Sequence, residues 1–246
     1  MKLESYAFGI RSVIEVIKAK KPIDKVFVQR ELKNSLFNEL YELIKKKQIS
    51  ISYVPLQKLN KITSKNHQGV IAIISPIEFY DFEELVISTL ESEEVPLFLV
   101  LDQLSDVRNF GAIIRTAECT GVNGIIIPKR GSVSVTADTI KTSAGAVFNM
   151  PICKVDHIKD AVYYLQASGI KVIAATEKAK QTIYESASFK KPIAIIMGAE
   201  GKGISPSLLK ITDEAIKLPM KGTIASLNVS VACGVFLYEV LRQRNY

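Results

Sequence analysis

Apolar residues first recur with helical spacing. Ile10, Val13, Ile14 and Ile17 mark one face of a helix expected over residues 5–20. "KVFVQ" then reads as a strand, and "SLFNELYELIKKK" as a second amphipathic helix with Leu36, Leu40, Leu43 and Ile44 on its apolar side. "ISISYVP" reads as a strand, "LQKLNKI" as a short helix and "GVIAIIS" as another strand, so a small α/β unit ends near Ser75. The stretch 81–94 carries a helical pattern through Phe82, Leu85 and Val86.

After Pro96 the pattern changes. "LFLVLD", "GIIIP", "KVIAAT" and "IAIIMG" are short runs without a polar face, the mark of strands buried in a parallel sheet. Helical stretches, "FGAIIRTAECTG" and "IKDAVYYLQASG", lie between them. Alternation of this kind predicts an α/β domain from about Val95 to Tyr246. The expected organisation is a first unit over 1–78, an acidic connector over 79–94 and a larger α/β unit over 95–246.

The closing stretch, "TIASLNVSVACGVFLYEVLRQR", has two periods at once. Leu227, Val229 and Val231 alternate as in a strand, yet the apolar run is too long for one and ends in Arg242, Gln243 and Arg244. A helix here would take Ser226 as its N-cap. Ser230 and Gly234 would weaken its interior and call for another reason to be there.

Charge sharpens the partner class. Residues 1–80 have a balance of +7, residues 81–94 hold six acids and no base, and residues 95–246 have a balance of +6. Two basic blocks around an acidic connector suit a polyanion such as nucleic acid, although a solvated surface of high pI gives the same count. Cys119, Cys153 and Cys233 form no C-x-x-C pair and read as reduced thiols, while His67 and His157 are isolated, so no metal site is expected. No run approaches the roughly 20 apolar residues of a membrane helix, and the N-terminus has no apolar signal region. A cytoplasmic protein without a membrane partner is the expectation.

Ligands of open parallel sheets sit at the carboxyl ends of the strands. Three segments there hold unusual polar residues. In "LDQLSDVRNFGAIIRTA", Asn109 reads by itself as an N-cap, and Arg115, among Ile113, Ile114 and Ala117, as a partly buried guanidinium or a surface arginine. In "IAIIMGAEGKGIS", Gly198, Gly201 and Gly203 surround Glu200 directly after a strand, which fits either a ligand loop or a strand-to-helix turn. Neither the P-loop spacing nor G-x-G-x-x-G is present. The third segment, "AIKLPMKGTIASLNVS", passes from strand to loop to helix start.

Together the three resemble, in order and wording, the motifs of the SpoU (TrmH) branch of the SPOUT methyltransferases. Asn109, Gly111 and Arg115 match its Asn-x-Gly-(x)3-Arg; Gly198, Glu200, Gly201 and Gly203 match its Gly-x-Glu-Gly-x-Gly; Ser226 through Ala232 match its closing Ser-Leu-Asn-Val-Ser-x-Ala. Where the family often has Asp-Pro before the first motif, this chain has Asp106-Val107. The first unit, with "FGIRSVIEVI", is similar to the small RNA-binding domain of the ribosomal RNA members.

The resemblance implies a trefoil-knotted parallel-sheet domain behind a small RNA-binding domain, and a homodimer. It implies S-adenosylmethionine-dependent methylation of a ribose 2′-hydroxyl, expected on a guanosine of large-subunit (23S) ribosomal RNA. Transfer RNA is the nearest alternative, and a non-catalytic RNA-binding protein of the same fold a further one. An α/β hydrolase would need a Gly-x-Ser-x-Gly elbow that is absent. The family's adenine contacts fall on Gly198, Leu218 and Leu227, with Thr176 beside them. Its catalytic positions fall on Arg115, Asn109, Glu200, Ser226 and Asn228, with Arg115 as base or as clamp. In the resemblance, Ser230 and Gly234 are small because chain threads through chain. The basic first unit is expected to hold RNA through Lys18, Lys20, Lys21, Lys45, Lys46 and Lys47, near the ends of its two helices.

Overall fold

The computed structural model describes residues 6–186, 188–224 and 226–246. The chain divides into two compact units, Met1–Glu78 with Ser134–Ala137, and Phe79–Val133 with Asp138–Tyr246.

In the first unit the elements run β1 (Tyr6–Phe8), α1 (Ile10–Lys18), β2 (Ile23–Gln29), α2 (Ser35–Lys46), β3 (Ile51–Val54), α3 (Leu56–Ile62) and β4 (Val70–Ile74). The expected helix over 5–20 is shorter than its pattern. Tyr6–Phe8 pairs with β4 instead, Gly9 turns the chain at φ 84°, and the helix starts at Ile10. Ser5 lies outside the described residues. The sheet order is β1-β4-β2-β3, with β2 and β3 parallel and the other pairs antiparallel. Alternation along β2 and β4 sends Val26, Val28, Val70 and Ala72 to the face covered by α1 and α2, where Val13, Ile14, Leu40 and Ile44 close the core. Ile71 points the other way, onto Leu59 of α3.

Because β2 and β3 lie side by side in parallel, the turns leading into them share one edge of the sheet. The Val26 amide donates to the Ser50 carbonyl at 2.8 Å there. Lys20, Lys21, Lys45, Lys46 and Lys47 therefore gather at that edge, all exposed. Lys18 points elsewhere and pairs with Glu39 at 3.2 Å.

The second unit contains α4 (Phe82–Leu90), β5 (Leu97–Asp102), α5 (Val107–Cys119), β6 (Gly124–Pro128), α6 (Ala137–Thr142), β7 (Ile152–Val155), α7 (Ile158–Ala167), β8 (Lys171–Ala175), β9 (Gln181–Thr182), β10 (Ile193–Gly198), α8 (Pro206–Leu209), β11 (Glu214–Lys217) and α9 (Val229–Asn245). The acidic stretch is no free connector: Val86 of α4 is fully buried in this unit's core, with Phe82 and Leu85 packed against it. The sheet order is β7-β6-β5-β10-β8-β11-β9, and every pair is parallel. β5 and β10 are buried along nearly their whole length, as strands covered on both faces must be. The strand order fits the knotted path that the sequence reading expects.

α9 packs against α5 and is fastened at its far end. The Arg244 guanidinium donates to four backbone carbonyls: Phe189 at 2.9 Å, Val95 at 2.6 Å, Pro96 at 3.0 Å and Lys191 at 2.9 Å. One turn before it, Glu239 accepts both ends of the Arg242 fork at 2.7 and 2.8 Å. That hydrogen bonding holds the Glu239 carboxyl below its ordinary range. Among the described residues no helix is long and apolar enough to cross a membrane.

Candidate active site

Three strand ends meet at one cleft. β8 ends in Ala175 and Thr176, β10 ends in Gly198, and β11 leads to Leu218 and Met220. The start of α9 closes the fourth side with Ser226, Leu227 and Val229. The pocket measures about 180 Å3, and Ala175, Met197, Ala232 and Phe236 give it an apolar floor. Thr176, Gly198, Leu218 and Leu227 all line it, as do Glu200 and Ser226.

The glycines shape this loop in different ways. Gly201 and Gly203 sit at φ 78° and 67°, where a side chain is strained, and a Cβ on either would meet open space. Gly198 is the opposite case. A Cβ there would overlap the backbone of Gly203 and Ile204, because the loop folds back on the strand end and the Gly203 amide bonds to the Ala199 carbonyl at 2.8 Å. Gly198 is thus demanded by the protein's own turn, before any ligand is considered. Gly111 is similar, since a Cβ on it would overlap Thr142. Asp102, buried at the end of β5, accepts the Ser205 amide at 2.7 Å and ties down the loop's far side.

Asn228 joins the three motifs. Its Oδ1 accepts from the Ser230 amide at 3.0 Å, the Ser230 hydroxyl at 2.6 Å and the Val231 amide at 3.4 Å. Its Nδ2 donates to Asn109 Oδ1 at 3.0 Å and reaches Glu200 Oε2 at 3.5 Å. Asn228, and not Ser226, is therefore the N-cap of α9. Ser230 is explained by this cap. Gly234 is not explained by crowding, since a Cβ there would meet Thr116 at an ordinary 3.8 Å. Asn109 is not a cap either: Asp106 caps α5 by accepting the Asn109 amide at 2.7 Å, which leaves the Asn109 side chain for Asn228.

Arg115 stands apart from this cluster. It is six positions beyond Asn109 on α5, roughly 240° around the helix. Its guanidinium is exposed, not partly buried as its apolar neighbours suggest, and has no hydrogen-bond or ion-pair partner among the described residues. One chain thus brings together Asn109, Asn228, Glu200 and the cleft, but not Arg115. The sequence reading also missed Asp102, Ser205 and the lining residues Lys178 and Lys202. A buried acid closing an otherwise apolar strand was the available signal for Asp102.

Family comparisons decide what this arrangement belongs to. Residues 96–238 match the model of the SpoU rRNA methylase family, and residues 6–80 match that of the RNA 2′-O ribose methyltransferase substrate-binding domain. The chain belongs to the SpoU methylase family. A TrmH family tRNA/rRNA methyltransferase of Bacillus subtilis is 36% identical over 240 residues, covering 98% of this chain and 96% of that one. Among solved structures, an AdoMet-bound rRNA methyltransferase from Sinorhizobium meliloti has the same fold over 96% of this chain and 86% of its own, with TM-score 0.60 and 23% identity. A TrmH/SpoU tRNA modifying enzyme from A. aeolicus is 28% identical with TM-score 0.57, and covers 66% of this chain and 82% of its own.

As a family member, the chain is an S-adenosylmethionine-dependent RNA 2′-O-ribose methyltransferase. The cleft fits that cofactor. Its floor offers apolar surface for a base, Thr176, Glu177 and Ser226 offer partners for hydroxyls, and Lys178 and Lys202 offer charge for a carboxylate. The open space over Gly201 and Gly203 leaves room for a ligand against bare backbone.

Proposed function

We propose that this enzyme methylates a guanosine ribose in large-subunit (23S) ribosomal RNA, in the cytoplasm and as a homodimer. The observation that carries the reading is the two-unit layout. It is shared over nearly the whole chain with the S. meliloti enzyme, whose name specifies rRNA, while the A. aeolicus tRNA enzyme matches only 66% of this chain. The higher identity of the A. aeolicus enzyme, 28%, favours transfer RNA as the second reading.

In this reading residues 1–78 hold RNA, and 95–246, with α4 of the acidic stretch 79–94 packed into their core, transfer the methyl group. Lys20, Lys21, Lys45, Lys46 and Lys47 take phosphates along their shared edge, and Lys18, paired with Glu39 away from that edge, adds charge at longer range. Thr176, Gly198, Leu218 and Leu227 hold the cofactor, which supplies a methyl group on a sulfonium. Asn109, Glu200, Ser226 and Asn228 place the ribose, turning an encounter into an in-line approach. The planar guanidinium of Arg115 offers N–H donors and no acceptor, so it serves as a clamp on phosphate and developing alkoxide.

The homodimer supplies what one chain lacks. Between Val231 and Leu241 the only charged residue of α9 is Glu239, and Val231, Val235 and Tyr238 fall on one stripe at helical spacing, with Val231 53% and Tyr238 56% exposed. A second copy covering this stripe and the adjoining α5 lets Arg115 serve the partner's cleft. Mapping 2′-O-methyl groups in ribosomal and transfer RNA, with and without the gene, tests the reading. A lost guanosine methyl in 23S RNA supports it, and loss confined to transfer RNA replaces it with the second reading.

A further inference from the structure

The carboxyl edge of the second unit's sheet holds another, larger cleft, which the methyl-transfer site does not use. It lies past the ends of β5, β6 and β7, with a volume of about 700 Å3. Asp102 at the end of β5, Gln103 just after it, Arg130 after β6, Asp156 after β7, the start of α7 and Ser205 surround it. Lys202 lines both this cleft and the cofactor cleft, so the two are neighbours across the glycine loop.

Its charges are not balanced once internal bonds are counted. Asp102 is buried and engaged by the Ser205 amide at 2.7 Å. Asp156 is paired with Lys129 at 2.8 Å. Asp160 is then the one lining acid not engaged by a neighbour described above, against exposed Arg130, Lys159 and Lys202. Ser105, Ser205, Ser207 and His157 add hydrogen-bonding groups, and the lining is more polar than apolar. With Lys129 behind Asp156 counted, four cations stand against three acids, and Asp102 is buried while Arg130, Lys159 and Lys202 are exposed; a wide polar cleft of this kind suits a phosphodiester strand better than a small apolar ligand.

We infer that this cleft is a second RNA-binding subsite, in which Arg130, Lys159 and Lys202 take backbone phosphates of the strand that carries the target ribose. The inference rests on the RNA methyltransferase reading. Lys202 sits where the strand passes from this subsite to the methyl-transfer cleft. Contact is with phosphate, so the subsite is indifferent to base sequence and sets affinity and register.

The test uses the full-length chain and a labelled oligouridylate, with affinity measured from low to moderate salt. Removing two contacts in Arg130→Gln/Lys159→Gln is expected to make the log–log salt slope shallower by about 1.4, at about 0.7 per single-strand phosphate. Cofactor affinity, measured by calorimetry, is expected to stay unchanged and reports that the variant is folded. Asp160→Asn removes the opposing acid and is expected to tighten RNA binding, a gain that misfolding cannot mimic. An unchanged slope in the double variant, or no gain in Asp160→Asn, overturns the subsite while leaving the methyltransferase reading intact. A wild-type chain that binds cofactor but no RNA at any salt overturns both.

Discussion

The Asn228 amide donates to Asn109 Oδ1 at 3.0 Å while its own oxygen caps the last helix. The cap fixes which way the Asn228 amide faces, since only oxygen can accept from the Ser230 and Val231 amides. The consequence runs on to Asn109: its oxygen accepts this bond, which turns its NH2 group the other way as a donor. Asn228→Asp keeps the cap but loses the donor and sets a carboxylate against Glu200. Its melting temperature is expected near wild type, with turnover lower by tenfold or more. Asn228→Ala loses the cap too, at about 1 kcal/mol. Thermal melts and single-turnover rates on both variants check this, and equal stability losses would refute the capping role.

Arg115 is exposed and unpaired among the described residues, so its removal should be silent structurally. Arg115→Ala is expected to melt and bind cofactor as wild type does, yet lose on the order of a hundredfold in turnover. Arg115→Lys should not rescue, because the planar fork is gone. If the arginine serves a partner's cleft, mixing Arg115→Ala with Asn228→Ala chains restores one working site per mixed dimer. No recovery from co-expressed mixtures would place Arg115 at its own chain's site.

Gly198→Ala puts a Cβ into the Gly203–Ile204 backbone, so loop and cofactor affinity should fail together. Faster amide exchange across residues 199–204 is expected alongside lost binding. Gly201→Ala, in open space but at φ 78°, should cost only about 1 kcal/mol of strain and weaken binding less. Calorimetry on the pair ranks the two, and equal affinities would refute the distinction.

Burial pushes the Cys153 and Cys233 thiols up to about 12, whereas Cys119 is exposed. Only the thiolate is nucleophilic, so at pH 8 a soluble alkylating reagent should modify Cys119 alone in the native protein and all three after denaturation. The raised values mean the buried thiols favour folding below their ordinary ionisation near pH 9. That contribution is lost as pH climbs towards 12. Mass spectrometry of alkylated peptides, before and after denaturant, reads the count.

Arg244→Ala leaves four carbonyls without their shared donor. Hydrogen bonds to a charged group are worth about 1.5–3 kcal/mol, so a loss of at least that size is expected, with Arg244→Lys recovering little. Urea melts measure it, and a change under about 0.5 kcal/mol would mean that the fork contributes little.

How much of this was readable in the sequence depended on how local its cause was. β5 and β10 came out at their true bounds because strands buried on both faces need no partner to be recognised. β1 did not, since its three residues join an apolar pattern that continues into α1, and only Gly9 separates them. β9 is two residues, Gln181–Thr182, and has no period to read. Ser226 and Asn228 are equally good caps by type. The choice between them is made by Asn109, 119 positions away, which no local pattern contains. The exposure of Arg115 was hidden for the same reason, because its apolar neighbours face a core that it does not.

The Arg244 fastening also sets an order in time. Its carbonyl partner Val95 lies 149 positions earlier in the chain. A nascent polypeptide therefore exposes β5 to the cell long before the residue that clasps its entrance has been synthesised. The second unit can collapse early during translation, but it locks only once Arg244 and the last turn of α9 have left the ribosome.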